Sequence, residues 1–259
     1  MRLLLFALLD RWLAPAPGPD QVSWLGRGAY AHRGLHLDGV PENSLAAFRG
    51  AMARGMGIEC DVQLSSDDRA MVFHDFELER LTGESGPVAR RSADELSHIR
   101  LSGSEETIPS LRQMLGLVAG GAPLLIEIKS RRGSFAQPER LCRAVAEDLA
   151  GYAGPHAIMS FDPRVVRWFA VHAPDCLRGL VMTEEHDRGL SGLIRRHLFL
   201  WRARPHFMAY DVRDLPSSFA AAQRARGLPV VTWTVRSREL RERAALNADA
   251  PIAEGDGAA

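Results

Sequence analysis

Short apolar runs alternate with amphipathic stretches along most of this chain, and the alternation predicts strands and helices in turn. Strands are expected at residues 29–33, 58–64, 123–129, 156–161, 177–182, 207–212, 229–235 and 250–253. Helices are expected at 45–54, 109–118, 138–149, 163–172, 190–201, 217–226 and 238–246. Runs such as Leu124-Leu125-Ile126 suit strands of a parallel sheet buried on both faces. Asn43 or Ser44 can cap the helix from Leu45, and Gly55-Met56-Gly57 ends it. About eight strands, each but the last followed by a helix or loop, in about 250 residues have the size of a (β/α)8 TIM-type barrel.

Two stretches depart from the alternation. Residues 71–74 read as a hairpin-like return at the end of the second strand. Residues 76–110 read as an irregular, short insertion after that strand, with a small helical patch at 92–96. Long loops in compact domains tend to be functional, so this one is expected over the active face.

The N-terminus, Met1 to Leu13 with the small-residue Ala14-Pro15-Ala16 after it, superficially resembles a signal peptide, but its apolar run breaks at Asp10-Arg11. It is too short to span a bilayer. The plainer expectation is an amphipathic helix packing Leu5, Leu9 and Trp12 against the domain, with weak membrane-surface contact as the alternative. The domain plan is thus an N-terminal helix and proline-rich linker over 1–24, a barrel over 25–255 and a mobile tail over 256–259.

Charge changes the picture by exclusion. Lys+Arg and Asp+Glu both number 32, which argues against a nucleic-acid binder relying on a basic surface. Cys60, Cys142 and Cys176 are scattered and odd in number, giving neither a disulfide framework nor zinc spacing. A reducing, cytoplasmic compartment follows as the expectation, with membrane association left open.

The chemistry gathers in Ala31 to Asp75. Strand alternation puts Glu59 and Asp61 on one face and Cys60 on the other, and likewise sets Glu127 beside Lys129. Carboxylates embedded in apolar strands are costly unless a proton or cation joins them. Oxygen ligands suit one divalent cation, Mg²⁺ or Ca²⁺, better than zinc. A buried Glu127–Lys129 ion pair is the plainer alternative. His32 and His74 flank the cluster, and an imidazole exchanges protons near neutral pH.

The order His32-Arg33-Gly34, Pro41-Glu42-Asn43-Ser44, Glu59-x-Asp61, His74-Asp75 and Glu127-Ile128-Lys129 resembles the glycerophosphodiester phosphodiesterase family, across most of the chain. The resemblance implies a (β/α) barrel that uses a bound divalent metal to split a small glycerophosphodiester into an alcohol and sn-glycerol 3-phosphate. It implies His32 and His74 as the general acid/base pair, without saying which is which. Arg33 and Lys129 suit phosphate oxygens. Glu42 falls at or beside the family's metal site, although bonding to loop backbone is its local alternative. Trp233 matches a tryptophan near the glycerol pocket, with a core tryptophan as the rival reading. The sequence departs from the family pattern with Glu254 in place of the usual aspartate and Ser44 in place of threonine. Two other readings use the same residues: a lysophospholipase D-like enzyme, and a non-catalytic barrel binding phosphorylated ligands. The nucleophile is water or the substrate's own glycerol hydroxyl, the second giving a cyclic phosphate first.

Overall fold

The computed structural model describes residues 2–131, 133–185 and 187–258, with side chains from residue 6 onward. Contacts divide the chain into two compact units, Tyr30–His156 and Met1–Ala29 with Ala157–Ala259.

In the unit Tyr30–His156, β1 (Tyr30–Ala31) runs parallel to β2 (Gly57–Leu64), which runs parallel in turn to β4 (Leu124–Ile128). Between them in sequence, β3 (Ala70–Val72) folds back antiparallel on the end of β2, as the hairpin-like pattern predicted. Every residue of β2 and β4 is buried. Register matters here. Asp61 pairs directly with Glu127, so two carboxylates stand side by side on neighbouring strands.

Helix α3 (Leu45–Ala53) starts where Ser44 Oγ accepts the Ala47 N–H at 3.1 Å, an N-cap that satisfies one otherwise orphaned donor. It buries Ala47, Phe48 and Ala51. In the insertion, α4 (Ala93–His98) begins at a Ser92–Glu95 capping box. Helix α5 (Leu111–Val118) buries Leu111, Met114, Leu115 and Val118 at helical spacing, and α6 (Ala136–Leu149) begins just before Pro138, where a missing N–H is harmless. The insertion is less irregular than its sequence suggested. Met71, Phe73, Leu78, Val88, Leu96, Leu101 and Ile108 close into a core of their own.

In the other unit, β5 (His156–Ser160), β6 (Leu177–Met182), β7 (Phe207–Asp211), β8 (Val230–Val235) and β9 (Ala250–Ala253) pair in sequence order, all parallel. The intervening helices α7 (Pro163–His172), α8 (Leu190–Ala203), α9 (Ser218–Ala225) and α10 (Arg238–Asn247) fall where the amphipathic stretches predicted. Val166, Leu180, Leu200, Met208, Tyr210 and Phe219 fill the space between strands and helices.

One terminal expectation needs correction. The N-terminal helix, α1 (Arg2–Leu13), is held by a polar residue rather than by Trp12, which is 77% exposed; Leu5 lies outside the described side chains. Asp10, nearly fully buried, accepts hydrogen bonds from Trp201 Nε1 at 2.7 Å and Gln223 Nε2 at 2.7 Å, and lies 2.8 Å from His197 Nδ1. The linker after it carries a short helix, α2 (Pro19–Val22). At the C-terminus Gly255–Gly257 forms a 3-10 turn, and Ala258 packs beside Val235 and Ala253. Among the described residues, no helix is long and apolar enough to cross a membrane.

Candidate active site

Three carboxylates meet within Tyr30–His156. One oxygen from each of Glu59, Asp61 and Glu127 lies within 4.8 Å of the others, and all three residues are buried. Burial and the charges of Asp61 and Glu127 push the Glu59 carboxyl well above its ordinary range, against a backbone hydrogen bond from Arg33 N–H at 2.9 Å. Asp61 behaves oppositely. Burial alone would raise it, but Lys129, His74 and Arg33 outweigh that and hold it below the usual carboxylate range. Asn43 Nδ2 donates to Asp61 Oδ2 at 2.9 Å.

Lys129 Nζ sits 2.7 Å from Asp61 Oδ1 and 2.7 Å from Glu127 Oε1. The ion pair posed as an alternative to the acidic cluster is therefore present, and it is part of the cluster. Arg33 Nε approaches Asp61 Oδ2 at 3.3 Å without hydrogen-bond geometry and, although buried, has no acceptor among the described residues.

The turn after β1 explains how Arg33 arrives there. Arg33 and Gly34 both have positive φ, 55° and 77°. The turn is closed by the Asn43 N–H donating to Arg33 O at 2.8 Å and by the Gly34 N–H donating to Glu59 O at 3.2 Å. His32 is buried at the end of β1.

A second ring of charge surrounds the first. Glu42 accepts from Arg33 Nη1 at 2.7 Å and from Arg80 Nη2 at 2.8 Å, so it stands outside the group of three carboxylates and bonds to guanidinium groups rather than loop backbone. Arg80 also donates to both oxygens of Asp75, at 2.5 and 3.0 Å, and Asp75 Oδ1 lies 2.5 Å from His74 Nδ1. His74, Asp75, Arg80 and Lys129 line a cavity of about 470 Å³, together with Phe76 and Arg131 of the insertion.

The glycerophosphoryl diester phosphodiesterase family model matches residues 32–252, the stretch that contains every one of these groups. The chain belongs to that family. It is a phosphodiester hydrolase. A glycerophosphodiester phosphodiesterase of Caldanaerobacter subterraneus is 28% identical over 229 residues, covering 82% of this chain and 87% of that one. One of Bacillus altitudinis is 38% identical over 116 residues, 42% of this chain and 47% of that one. Among solved structures, an Oleispira antarctica phosphodiesterase in complex with the product sn-glycerol-3-phosphate superposes with a TM-score of 0.77 at 22% identity, covering 90% of this chain and 94% of that one. A Thermotoga maritima glycerophosphodiester phosphodiesterase gives 0.70 at 23% identity, covering 88% and 94%. The likeness shows the fold expected from the sequence, a TIM-type (β/α)8 barrel, here with an added N-terminal helix.

Of the residues that carry the family resemblance, Arg33, Glu42, Glu59, Asp61, His74, Glu127 and Lys129 are joined by contacts or charge in the structure. Trp233 is half-buried; its Nε1 donates to Ala209 O at 3.0 Å and its ring meets Phe161 edge-on at 5.4 Å. Glu254 pairs with Arg236. Sequence reasoning missed Asn43, Asp75 and Arg80 as parts of the site. Asp75 had a usable signal, a carboxylate next to a candidate catalytic histidine. The reach of Arg80 to both Glu42 and Asp75 is a tertiary fact with no local pattern.

The donor set fits a hard divalent cation. The three carboxylates are buried and offer only oxygen, and Lys129 with Arg33 leaves them in negative excess because Arg33 is shared with Glu42.

Proposed function

We propose that this phosphodiesterase hydrolyses glycerophosphodiesters to an alcohol and sn-glycerol 3-phosphate, using His32 and His74 for proton transfer and one divalent cation held by Glu59, Asp61 and Glu127. The observation that carries this reading is the juxtaposition of the three buried carboxylates with His74 and the cations Lys129 and Arg33. The product-bound Oleispira relative supports the same substrate class. When bound, a divalent cation supplies charge neutralisation at a phosphate oxygen; Mg²⁺ and Ca²⁺ both suit the ligands.

The chain's own groups do the rest. Arg33 Nε is a buried donor poised for a phosphate oxygen, and Lys129 adds a second positive charge on the cavity wall. His74 Nδ1 lies against Asp75, so Nδ1–H donates to the carboxylate and Nε2 is left for exchange with substrate. One histidine takes a proton from the nucleophile, water or the substrate's own glycerol hydroxyl, as the new P–O bond forms; the hydroxyl route gives a cyclic phosphate that water then opens. The other returns a proton to the alcohol oxygen as its P–O bond breaks. Glu42 then serves to anchor Arg33 and Arg80 rather than as a ligand. Trp233 remains our candidate for contact with the glycerol moiety, on the family resemblance.

The apolar residues of the insertion are taken up largely by its own core, which favours a deacylated substrate over a lysophospholipid. The test is release of sn-glycerol 3-phosphate from glycerophosphocholine and glycerophosphoethanolamine with Mg²⁺, with Ca²⁺ and with EDTA. Metal-dependent release is expected. Release from lysophosphatidylcholine alone, or ligand binding without turnover by folded, metal-loaded protein, would replace this reading.

A further inference from the structure

We propose that the outer face of α1 and α8 docks on an anionic lipid surface. The inference is independent of the substrate. Helix α1 is fixed to α8 by the Asp10 contacts with His197 and Trp201 and by the Phe6 ring stacked on His197 at 4.3 Å. On α1 the side opposite Asp10 is apolar, and on α8 an exposed apolar stripe flanks His197 and Trp201. Leu8 and Trp12, one turn apart on α1, are 66% and 77% exposed. On α8, Leu190, Ile194 and Leu198 recur at every fourth residue with 59%, 39% and 51% exposure, and Phe199 adds 37%. Four residues of helix advance about 6 Å, so the α8 stripe runs for about 12 Å. Among the described residues these six make up most of the ten large hydrophobic side chains that are exposed, which sets these two helices apart from the rest of the surface.

Charge decides what covers it. Arg11, Arg195 and Arg202 are exposed on the same two helices, Arg195 being held by Asp187. The two helices contain one acidic residue between them, Asp10, and it is buried. An apolar stripe edged by arginine, with a tryptophan at its border, matches the acyl–headgroup boundary of an acidic bilayer. A second copy of this chain fits less well, because a two-fold contact through this face would set arginine against arginine.

The test is co-sedimentation of the full-length protein with sucrose-loaded vesicles of phosphatidylcholine alone or mixed with phosphatidylglycerol. Binding is expected to the acidic vesicles only and to weaken with salt. Combining Leu8→Ser, Trp12→Ser, Ile194→Ser and Leu198→Ser should weaken it by at least about tenfold, with circular dichroism unchanged. Arg11→Gln with Arg202→Gln should reduce the salt sensitivity. Should the quadruple variant fail to fold, brominated phosphatidylglycerol should quench wild-type fluorescence more than that of Trp12→Phe. No sedimentation with acidic vesicles, equal binding by the folded quadruple variant, or a dimer in solution that this variant dissolves would overturn the proposal.

Discussion

Asp75 Oδ1 lies 2.5 Å from His74 Nδ1, while Asp75 itself is held by both Nε and Nη2 of Arg80. A carboxylate in that place fixes the orientation of the imidazole and the nitrogen that carries its proton. Arg80 is a positioning residue one step further out, gripping Glu42 with the same guanidinium. Lysine cannot reproduce two forked contacts at once.

Asp75→Ala is therefore expected to lower kcat by about 10- to 100-fold, and Arg80→Lys by about tenfold. Both should change KM less than kcat, since the lost contacts act through His74. Steady-state kinetics on glycerophosphocholine checks this. A rate unchanged in Asp75→Ala would remove His74 from the proton-transfer scheme.

Glu59 sets function against stability. Its carboxyl is fully buried, and burial together with Asp61 and Glu127 raises it well above the ordinary range. A carboxyl raised on folding favours the fold below the unfolded value of 4.5, and that stability is lost as pH rises through the folded value. Without metal at neutral pH, Glu59→Gln should thus stabilise the protein by about 1–2 kcal/mol, because glutamine can still accept from the Arg33 N–H. The wild type is expected to melt higher with Mg²⁺ or Ca²⁺, and the same change should remove both that rise and turnover. Melting curves with EDTA and with each ion, compared between wild type and variant, provide the check.

How much of this was legible in the sequence follows from the range of each signal. Strand alternation and the order of motifs located Glu59, Asp61, Glu127 and Lys129, because period-2 geometry acts within one strand. That Asp61 faces Glu127 depends on register between β2 and β4, which no local pattern specifies. The proline-rich run after α1 hid a helical turn, since Pro19 is tolerated at the first helical position. An amphipathic stripe does not reveal which side is buried, so Trp12 was expected to pack inward; Asp10, where the apolar run breaks, is what anchors the helix.

Asp10 gives a pH-dependent stability. Burial alone would raise its carboxyl, yet hydrogen bonds from His197, Gln223 and Trp201 lower it below the unfolded value of 3.8. A depressed carboxyl stabilises the fold above the unfolded value, and that stability is lost as pH falls through the folded one. Asp10→Ala should cost about 2–4 kcal/mol at neutral pH, since it leaves buried donors unpaired. Urea unfolding at pH 7 and at pH 3 should show the gap between variant and wild type narrowing in acid.

Gly34 ties the turn after β1 to the whole site. A Cβ there would lie 2.8 Å from Ala47 Cβ, 2.9 Å from the Ala47 backbone carbon and 2.9 Å from Phe48 Cδ1, and φ is already 77°. Relief requires moving the backbone of α3, and with it the turn that carries Arg33 and Asn43. Gly39 makes the control, with φ of 78° but nothing within 4 Å of its added Cβ. Gly39→Ala isolates backbone strain and should cost about 1 kcal/mol. Gly34→Ala adds a collision with backbone and should cost about 3 kcal/mol or more, while weakening metal-dependent turnover in step. Urea unfolding and kinetics of the two variants separate the terms. Equal losses would mean that α3 yields freely and that the turn does not hold the site.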